Sequence, residues 1–317
     1  MPLHPQAQAL IDAAKASGLP PVFHLPVSEA RQRMIAAFAT QFPQEDLLEI
    51  SDEYIPCPSH TIPVRIYKPS STGLLPALVM FHGGGWTLNN LDTHDGMCRN
   101  ISVEAGCVVV SVDYRLSPEN KFPAAIDDAY LATQWTINNS ERLGIDAGLV
   151  AVGGDSSGAN QATVVALLSR DRGGPAIKFQ VLIYPVTDYC LPGTQSYKDN
   201  ATGYSLSRDF MVWFWNNYLP SDASVSNPYI SPLRTTDLTG LPPTLIITAE
   251  FDPLRDEGEQ YGVRLSEAGV PVVMKRFDGM MHGFVIQYRV VDAGKEALRL
   301  IGSTLREAFG SETLSKE

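Results

Sequence analysis

The sequence is poor in cysteine and in basic residues, and it has no long hydrophobic run. Its four cysteines are scattered and form no C-x-x-C pair, which argues against a disulfide framework and favours buried thiols. Lys and Arg number 24 against 35 Asp and Glu, a formal net charge of −11. Because phosphate binding depends on clustered basic residues, we expect no nucleic-acid partner.

Targeting and cofactor signals are also missing. The amino terminus has neither the basic start nor the apolar run of a signal peptide, and no later stretch approaches membrane-spanning length. We therefore expect a cytoplasmic protein that is not inserted in a membrane. Clustered metal-ligand spacing and a G-x-G-x-x-G fingerprint are absent, so we expect neither a metal nor an organic cofactor.

The pattern of apolar runs predicts an α/β fold. The 317 residues suffice for one large α/β domain with an insertion or for two ordinary domains. Strands are predicted at 50–55, 62–67, 77–81, 107–112, 149–152, 179–184, 244–248 and 272–277, the first two as an antiparallel pair. Helices are predicted at 91–105, 124–138, 162–168, 254–268 and 293–309. This alternation is typical of βαβ units that build a parallel sheet.

Two stretches do not follow the alternation. Residues 1–40 read as helical around a break rich in Gly and Pro at 18–21. Residues from about 188 to 242 are aromatic and polar, and a structureless loop of that length is uncommon inside a compact domain. We interpret this second stretch as a helical insertion that would lie over the carboxyl edge of the sheet.

A G-x-S-x-G pattern joins the predicted strand 149–152 to the helix after it, with Gly154, Ser156 and Gly158 at the fixed positions. In a nucleophile elbow, small flanking residues allow the central serine to adopt a strained backbone conformation at a sharp turn. Ser156 is therefore the candidate nucleophile. The pattern alone is weak, because the same letters occur in ordinary loops.

Three consecutive glycines follow the predicted strand 77–81, where enzymes with such an elbow take a second oxyanion donor. Glycine allows the backbone to approach a substrate oxygen, so we assign the oxyanion hole to the N–H groups of Gly84, Gly85 and Ser157. A flexible glycine turn is the alternative. His82 precedes the elbow, which is the wrong chain order for a base, and we interpret it as structural.

Asp252 directly follows the predicted strand 244–248, at the place expected for the acid of a triad. Glu250, Asp256 and Glu257 compete for this role. Only Asp252 falls at the strand exit, and we interpret Asp256 or Glu257 as support for the loop.

His282 follows the final predicted strand and is the candidate base. A lone histidine is more often a satisfied loop residue, yet Ser156, Asp252 and His282 occur in the required order and each follows a different strand. Ser156 would attack a substrate carbonyl while His282 takes its proton, and Asp252 would hold the imidazole in the correct tautomer.

Five ordered motifs carry a family resemblance: H-G-G-G at 82–85, D-Y-R-L-S-P-E at 113–119, G-D-S-S-G at 154–158, D-P-L-R-D-E-G at 252–258 and H-G-F at 282–284. From about residue 48 to the carboxyl end, the chain resembles the hormone-sensitive lipase family of bacterial carboxylesterases. That family more often has Ala where Ser157 stands and Gly where Ala159 stands. Because an oxyanion donor is a backbone N–H, Ser157 should still serve, while its hydroxyl adds a polar group.

The resemblance implies an α/β-hydrolase fold, a mostly parallel eight-stranded sheet with helices on both faces and a helical cap. Residues 1–47 and 188–242 would form the cap, and residues 48–187 and 243–317 the catalytic core. The side chains expected to contact the substrate are Met34, Phe38, Trp86, Met211, Trp213 and Phe214.

The resemblance also implies hydrolysis of short- to medium-chain acyl esters through an acyl-enzyme, with a small-molecule ester as the bound partner. It suggests a homodimer formed through the last strand and helix. Two alternatives stay open: an amide hydrolase with the same triad, and a non-catalytic protein that binds a small ligand on the same fold. The intact triad argues against the second.

Overall fold

A computed structural model describes residues 2–39 and 48–310. The strands are β1 (Leu48–Pro56), β2 (Thr61–Pro69), β3 (Leu75–Phe81), β4 (Val108–Val112), β5 (Ile145–Asp155), β6 (Gln180–Ile183), β7 (Thr244–Phe251) and β8 (Val272–Met281). The helices are α1 (Pro5–Ala16), α2 (Val27–Ala39), α3 (Leu91–Ala105), α4 (Ala124–Asn138), α5 (Ser140–Leu143), α6 (Ser157–Arg172), α7 (Gln195–Asp199), α8 (Arg208–Tyr218), α9 (Arg255–Glu267) and α10 (Asp292–Phe309). Short 3₁₀ turns lie at Val22–His24 and Pro232–Arg234.

The eight strands form one sheet in the order β1-β2-β4-β3-β5-β6-β7-β8. β2 pairs antiparallel with β1 and β4, and all other neighbours pair in parallel. This arrangement confirms the predicted α/β-hydrolase fold, including the antiparallel hairpin at its edge. Since the carboxyl ends of parallel strands meet at one edge, the loops after β3, β5, β7 and β8 converge there.

The central strands are apolar throughout because both faces of the sheet are covered. Val79 of β3 belongs to one buried cluster and its neighbour Leu78 to another, on the opposite face of the sheet. Val110 and Val109 of β4 divide in the same way. A continuous apolar run is the pattern that such doubly covered strands require.

Strand β8 is longer than its sequence pattern predicts. The Asp278-Gly279 pair reads as a turn, yet the strand continues to Met281, which pairs with Phe251 of β7 beyond an irregularity in the register. The extension places His282 beside the end of β7.

The N-terminal segment (residues 2–39) packs against the sheet domain at both of its helices. The N–H of His4, which caps α1, donates to the carbonyl of Gly279 in β8 at 2.9 Å. Arg31 of α2 reaches the Glu119 carboxylate at 2.7 Å. The segment is therefore fixed at two places.

The insertion (residues 188–242) contains α7, α8 and the second 3₁₀ turn. The ammonium of Lys121 donates to three carbonyls at the carboxyl end of α8, those of Asn216, Asn217 and Leu219, at 2.8 to 2.9 Å. A cation at this end also interacts favourably with the helix dipole. Among residues 2–39 and 48–310, no helix has the length and apolar character needed to cross a bilayer.

Candidate active site

Ser156 occupies a sharp turn between β5 and α6, with φ 56° and ψ −118°. This conformation is strained for any residue with a Cβ atom. The flanking glycines are required by contact: a Cβ on Gly154 would lie 2.2 Å from the carbonyl carbon of Gly158. A Cβ on Gly158 would lie 1.9 Å from the oxygen of Phe81. The G-x-S-x-G pattern thus has a steric cause here.

Ser156, His282 and Asp252 are linked by hydrogen bonds. The hydroxyl of Ser156 lies 3.0 Å from Nε2 of His282, and Nδ1 of His282 lies 2.6 Å from Oδ2 of Asp252. Asp252 is fully buried, and the side chain of His282 is 13% exposed. Because a carboxylate only accepts, Nδ1 carries the ring proton, and Nε2 is left to accept from Ser156.

The other acidic residues considered for the acid role each have a different partner. Glu250 accepts the N–H of Gly279 at 2.6 Å, Asp256 that of Ser196 at 2.7 Å, and Glu257 that of Thr187 at 2.8 Å. Burial raises the pKa of Glu257 well above its ordinary value, while the N–H groups of Thr187 and Asp188 oppose this shift. Asp256, and Glu257 through the N–H of Asp188 at 3.2 Å, thus tie the start of α9, just after Asp252, to the insertion.

Three N–H groups beside Ser156 donate no hydrogen bond within the described chain: those of Gly84, Gly85 and Ser157. Ser157 is the first residue of α6, where an N–H has no acceptor inside the helix. The N–H of Gly83, by contrast, is used by the Asp155 carboxylate at 2.8 Å. The three unused donors are those predicted for the oxyanion hole.

The carbonyl groups of the glycine loop (residues 83–87) are all held by donors. The carbonyl of Gly83 accepts from Nδ2 of Asn89 at 3.2 Å, and that of Gly84 from the N–H of Leu88 at 2.9 Å. The carbonyl of Gly85 accepts from the hydroxyl of Thr87 at 3.0 Å. The carbonyl of Trp86 accepts from the N–H of Ser117 at 2.8 Å. In a trans peptide, the N–H and the C=O point in opposite directions. Fixing these oxygens therefore fixes the N–H groups of Gly84 and Gly85.

Asp155 and His94 form a buried pair next to Ser156 that the motif reading did not assign. Nε2 of His94 lies 3.0 Å from Oδ1 of Asp155. Burial would raise the pKa of Asp155, but His94, the N–H of Gly83 and His82 outweigh it and hold the pKa below its ordinary value. An acidic residue next to a buried nucleophile was the available signal, since a buried charge needs a partner.

His82 is fully buried and stacks on Tyr114 with ring centroids 4.3 Å apart. Its Nδ1 lies 2.8 Å from the carbonyl of Gly83. These contacts agree with a structural role.

Trp86 lies in the interior rather than at an open surface of the site. It is 0% exposed, and its ring stacks on Tyr218 at 4.1 Å and meets Trp215 at 4.7 Å. Two aromatic side chains of α8 thus pack against the indole, and its contact with the substrate stays a prediction. Met211 is also buried, at 1% exposure.

Phe214 is the predicted contact residue that the structure brings to the glycine loop. A Cβ on Gly85 would lie 2.0 Å from Cδ1 of Phe214, so the ring touches this glycine. Met34 and Trp213 are half-buried. The side chain of Phe38 lies outside the described part of the chain.

An aromatic stack extends from Phe214 into the N-terminal segment. Phe214 stacks on Phe210 at 4.4 Å, and Phe210 meets Phe23 at 5.1 Å. Sequence reasoning missed Phe23, which lies in a short 3₁₀ turn without helical periodicity. The stack joins the N-terminal segment to the insertion above the glycine loop.

Comparisons with known proteins agree with this geometry. Residues 78–286 match a family model described as alpha/beta hydrolase fold. The carboxylesterase NlhH of Mycobacterium tuberculosis is 45% identical over 243 residues, which cover 74% of this chain and 75% of NlhH. An ethyl acetate hydrolase of Pseudomonas putida is 35% identical over 319 residues, covering 97% and 99% of the two chains. The structure of a hyperthermophilic esterase from the archaeon Pyrobaculum calidifontis, 40% identical, superposes with a TM-score of 0.93 over 97% of this chain and 99% of that one.

Proposed function

Because this chain belongs to the alpha/beta hydrolase family, in its hormone-sensitive lipase group, and is a carboxylic ester hydrolase, we propose that Ser156, His282 and Asp252 are its nucleophile, base and acid. The observation that carries the proposal is the continuous pair of hydrogen bonds, 3.0 Å from Ser156 to His282 and 2.6 Å from His282 to Asp252. The strained φ of Ser156 supports it.

In the first half of the reaction, Nε2 of His282 takes the hydroxyl proton as Oγ of Ser156 bonds to the ester carbonyl carbon. The carbonyl oxygen becomes an oxyanion, which accepts from the N–H groups of Gly84, Gly85 and Ser157. When the C–O bond of the ester breaks, His282 donates its proton to the departing alcohol. Asp252 stabilises the imidazolium throughout.

In the second half, His282 takes a proton from water as the water oxygen attacks the acyl-enzyme. The tetrahedral intermediate collapses, Ser156 regains its proton from His282, and the carboxylic acid departs. Nε2 of His282 is therefore unprotonated at the start of each half-reaction, and it carries the proton when it donates to the departing alcohol or to Ser156.

The substrate class is a short- to medium-chain acyl ester. The name of the Pseudomonas putida relative, ethyl acetate hydrolase, supports short acyl groups. The contact of Phe214 with Gly85 supports an apolar, size-limited space beside the oxyanion donors.

The N-terminal segment and the insertion act together as a cap. Their joining through Phe23, Phe210 and Phe214 supports this role. A homodimer is proposed at β8, which is the terminal strand of the sheet and exposes Val273 and Met274. The cytoplasmic location stays a prediction.

A chain-length series of p-nitrophenyl esters, measured beside Ser156→Ala, tests the proposed function. We expect turnover of acyl chains of about two to eight carbons, with limited space excluding longer ones. A matched p-nitroanilide should be turned over far more slowly. Equal rates on ester and anilide, or activity retained by Ser156→Ala, would contradict the proposal.

A further inference from the structure

Arg31 of α2 reaches from the N-terminal segment to the sheet domain with its whole guanidinium. Nε donates to the carbonyl of Thr87 at 2.8 Å, and Nη2 to the carbonyl of Ser117 at 2.8 Å. The two outer nitrogens also bind the Glu119 carboxylate at 2.9 and 2.7 Å. One side chain thus holds two backbone oxygens and one carboxylate.

Thr87 connects Arg31 to the proposed oxyanion donors. Its N–H donates to the carbonyl of Gly84 at 3.1 Å, and its hydroxyl donates to the carbonyl of Gly85 at 3.0 Å. The first of these oxygens belongs to the peptide that carries the N–H of Gly85. The position of Thr87 therefore sets the direction of that donor.

Ser117 makes a second connection to the same loop. Its N–H and its hydroxyl both donate to the carbonyl of Trp86, at 2.8 and 3.0 Å. Its hydroxyl also lies 3.0 Å from that of Thr87. Thr87 and Ser117 are both fully buried, so neither carbonyl can readily exchange Arg31 for water.

We propose that Arg31 is a positioning residue for the glycine loop, through which the N-terminal segment contributes to the chemical step. The inference rests on the proposed function, since it requires the N–H groups of Gly84 and Gly85 to bind the oxyanion. Loss of Arg31 leaves the buried carbonyls of Thr87 and Ser117 without this donor, and the loop shifts to recover one. Oxyanion stabilisation depends on donor geometry, so turnover falls.

The ion pair with Glu119 has a smaller role. The Glu119 side chain is 57% exposed, and exposed ion pairs contribute little because water screens them. Arg31 holds the pKa of Glu119 below its ordinary value, so the pair is charged at neutral pH. Glu119→Gln removes the charge and leaves the bonds to both carbonyls, which separates the two roles.

The test compares Arg31→Met and Arg31→Lys with Arg33→Met in the full chain. Methionine keeps an apolar stem but no donor, whereas lysine keeps a cation that cannot bind two carbonyls and a carboxylate as a planar fork. Arg33 is the matched control, because it lies on the same helix and bonds to Pro20 O within the N-terminal segment. Each variant is assayed for kcat, KM, melting temperature and the Ki of a trifluoromethyl ketone, which forms an oxyanion on a serine nucleophile.

We expect Arg31→Met to lower kcat by about 10- to 100-fold with little change in KM, and to raise the Ki of the ketone in proportion. Arg31→Lys should give a smaller loss, Glu119→Gln a smaller one still, and Arg33→Met a kcat within about twofold of wild type. A wild-type kcat and Ki in Arg31→Met, or an equal loss in Arg33→Met, overturns the inference. If Ser156→Ala retains activity, it is the proposed function that fails instead.

Discussion

The carboxylate of Asp155 accepts the N–H of Gly83 at 2.8 Å, which joins the residue before Ser156 to the first residue of the glycine loop. The same oxygen lies 3.0 Å from Nε2 of His94. The elbow and the oxyanion loop are thereby held in one arrangement, although they follow different strands of the sheet.

This contact predicts a specific loss of stability in acid. The folded-state pKa of Asp155 lies below its ordinary value, so the carboxylate stabilises the fold above the unfolded-state pKa. That stability is lost as pH falls from the unfolded-state pKa through the depressed folded-state pKa. Asp155→Asn should therefore lose less free energy of unfolding than wild type between pH 5 and about 3. Denaturant titrations across this range measure it, and parallel curves for the two proteins would rule the prediction out.

The opposite dependence of stability on pH is predicted for Glu257, because burial raises its pKa well above the ordinary value. Such a group favours the folded state when it is protonated, and this contribution is lost as pH rises through the folded-state pKa. Glu257→Gln keeps an oxygen to accept the N–H groups of Thr187 and Asp188 but cannot ionise. Its stability relative to wild type should increase with pH above about 4.5. Glu259→Gln is the control, since Glu259 pairs with Arg276 at a more exposed position. An advantage that does not change with pH would contradict the burial argument.

Strain at Ser156 predicts that stability and activity separate at this residue. Glycine adopts φ 56° without the cost paid by a residue with a Cβ, so Ser156→Gly should gain about 1 kcal/mol of unfolding free energy. Ser156→Ala keeps the Cβ and should gain little. Both variants should lose turnover by about 10⁴-fold or more. Calorimetry and an ester assay on the same preparations provide the measurement, and equal stabilities for the two variants would argue against strain.

A dimer through β8 predicts that a charge on that strand separates the subunits. Met274 is 45% exposed on this terminal strand of the sheet. Met274→Lys would place a cation in the proposed interface, where burying it is costly, so the mass in solution should halve. Val290→Lys is the control, because Val290 is an apolar residue outside the strands that is 54% exposed. Sedimentation that gives a monomer for wild type, or a dimer for Met274→Lys, would exclude this interface.

The sequence predicts the triad because its members are marked by local patterns. Each of Ser156, Asp252 and His282 follows a strand, and apolar runs in the sequence predict the strands. Once the fold is parallel, strand ends meet at one edge, so order along the chain predicts proximity in space. The end of β8 is harder to predict from the sequence, because Asp278 and Gly279 are typical of a turn. Pairing with β7 nevertheless continues beyond them to Met281.

Residues that act through long-range contacts leave no such pattern. Arg31 and Thr87 are 56 positions apart, and nothing in the sequence around either residue indicates that they form a hydrogen bond. The surroundings of Trp86 are a second example: a large aromatic residue predicts burial, but not which side chains cover its ring. The packing of Tyr218 and Trp215 decides that question.

The orientation of the glycine-loop carbonyls predicts room for a bulky alcohol group. The oxygens of Gly84 and Gly85 are held by the N–H and the hydroxyl of Thr87, so they do not project toward the reacting ester. The ring of Trp86 stacks on Tyr218 of α8. We therefore expect tert-butyl acetate to be hydrolysed at a rate above the Ser156→Ala background, alongside ethyl acetate.

Thr87→Val tests the cause of this tolerance, because it removes the hydroxyl that holds Gly85 O while keeping the shape of the side chain. That carbonyl is then free to turn into the site. The ratio of tert-butyl acetate to ethyl acetate turnover should fall by about fivefold or more, which corresponds to the free energy of roughly one hydrogen bond. Thr136→Val is the matched control, since its buried hydroxyl binds the carbonyl of Ala132 within α4. Release of tert-butanol is followed for all three proteins. An unchanged ratio in Thr87→Val would show that the carbonyl bond does not create the space, and no release by wild type would reject the open loop altogether.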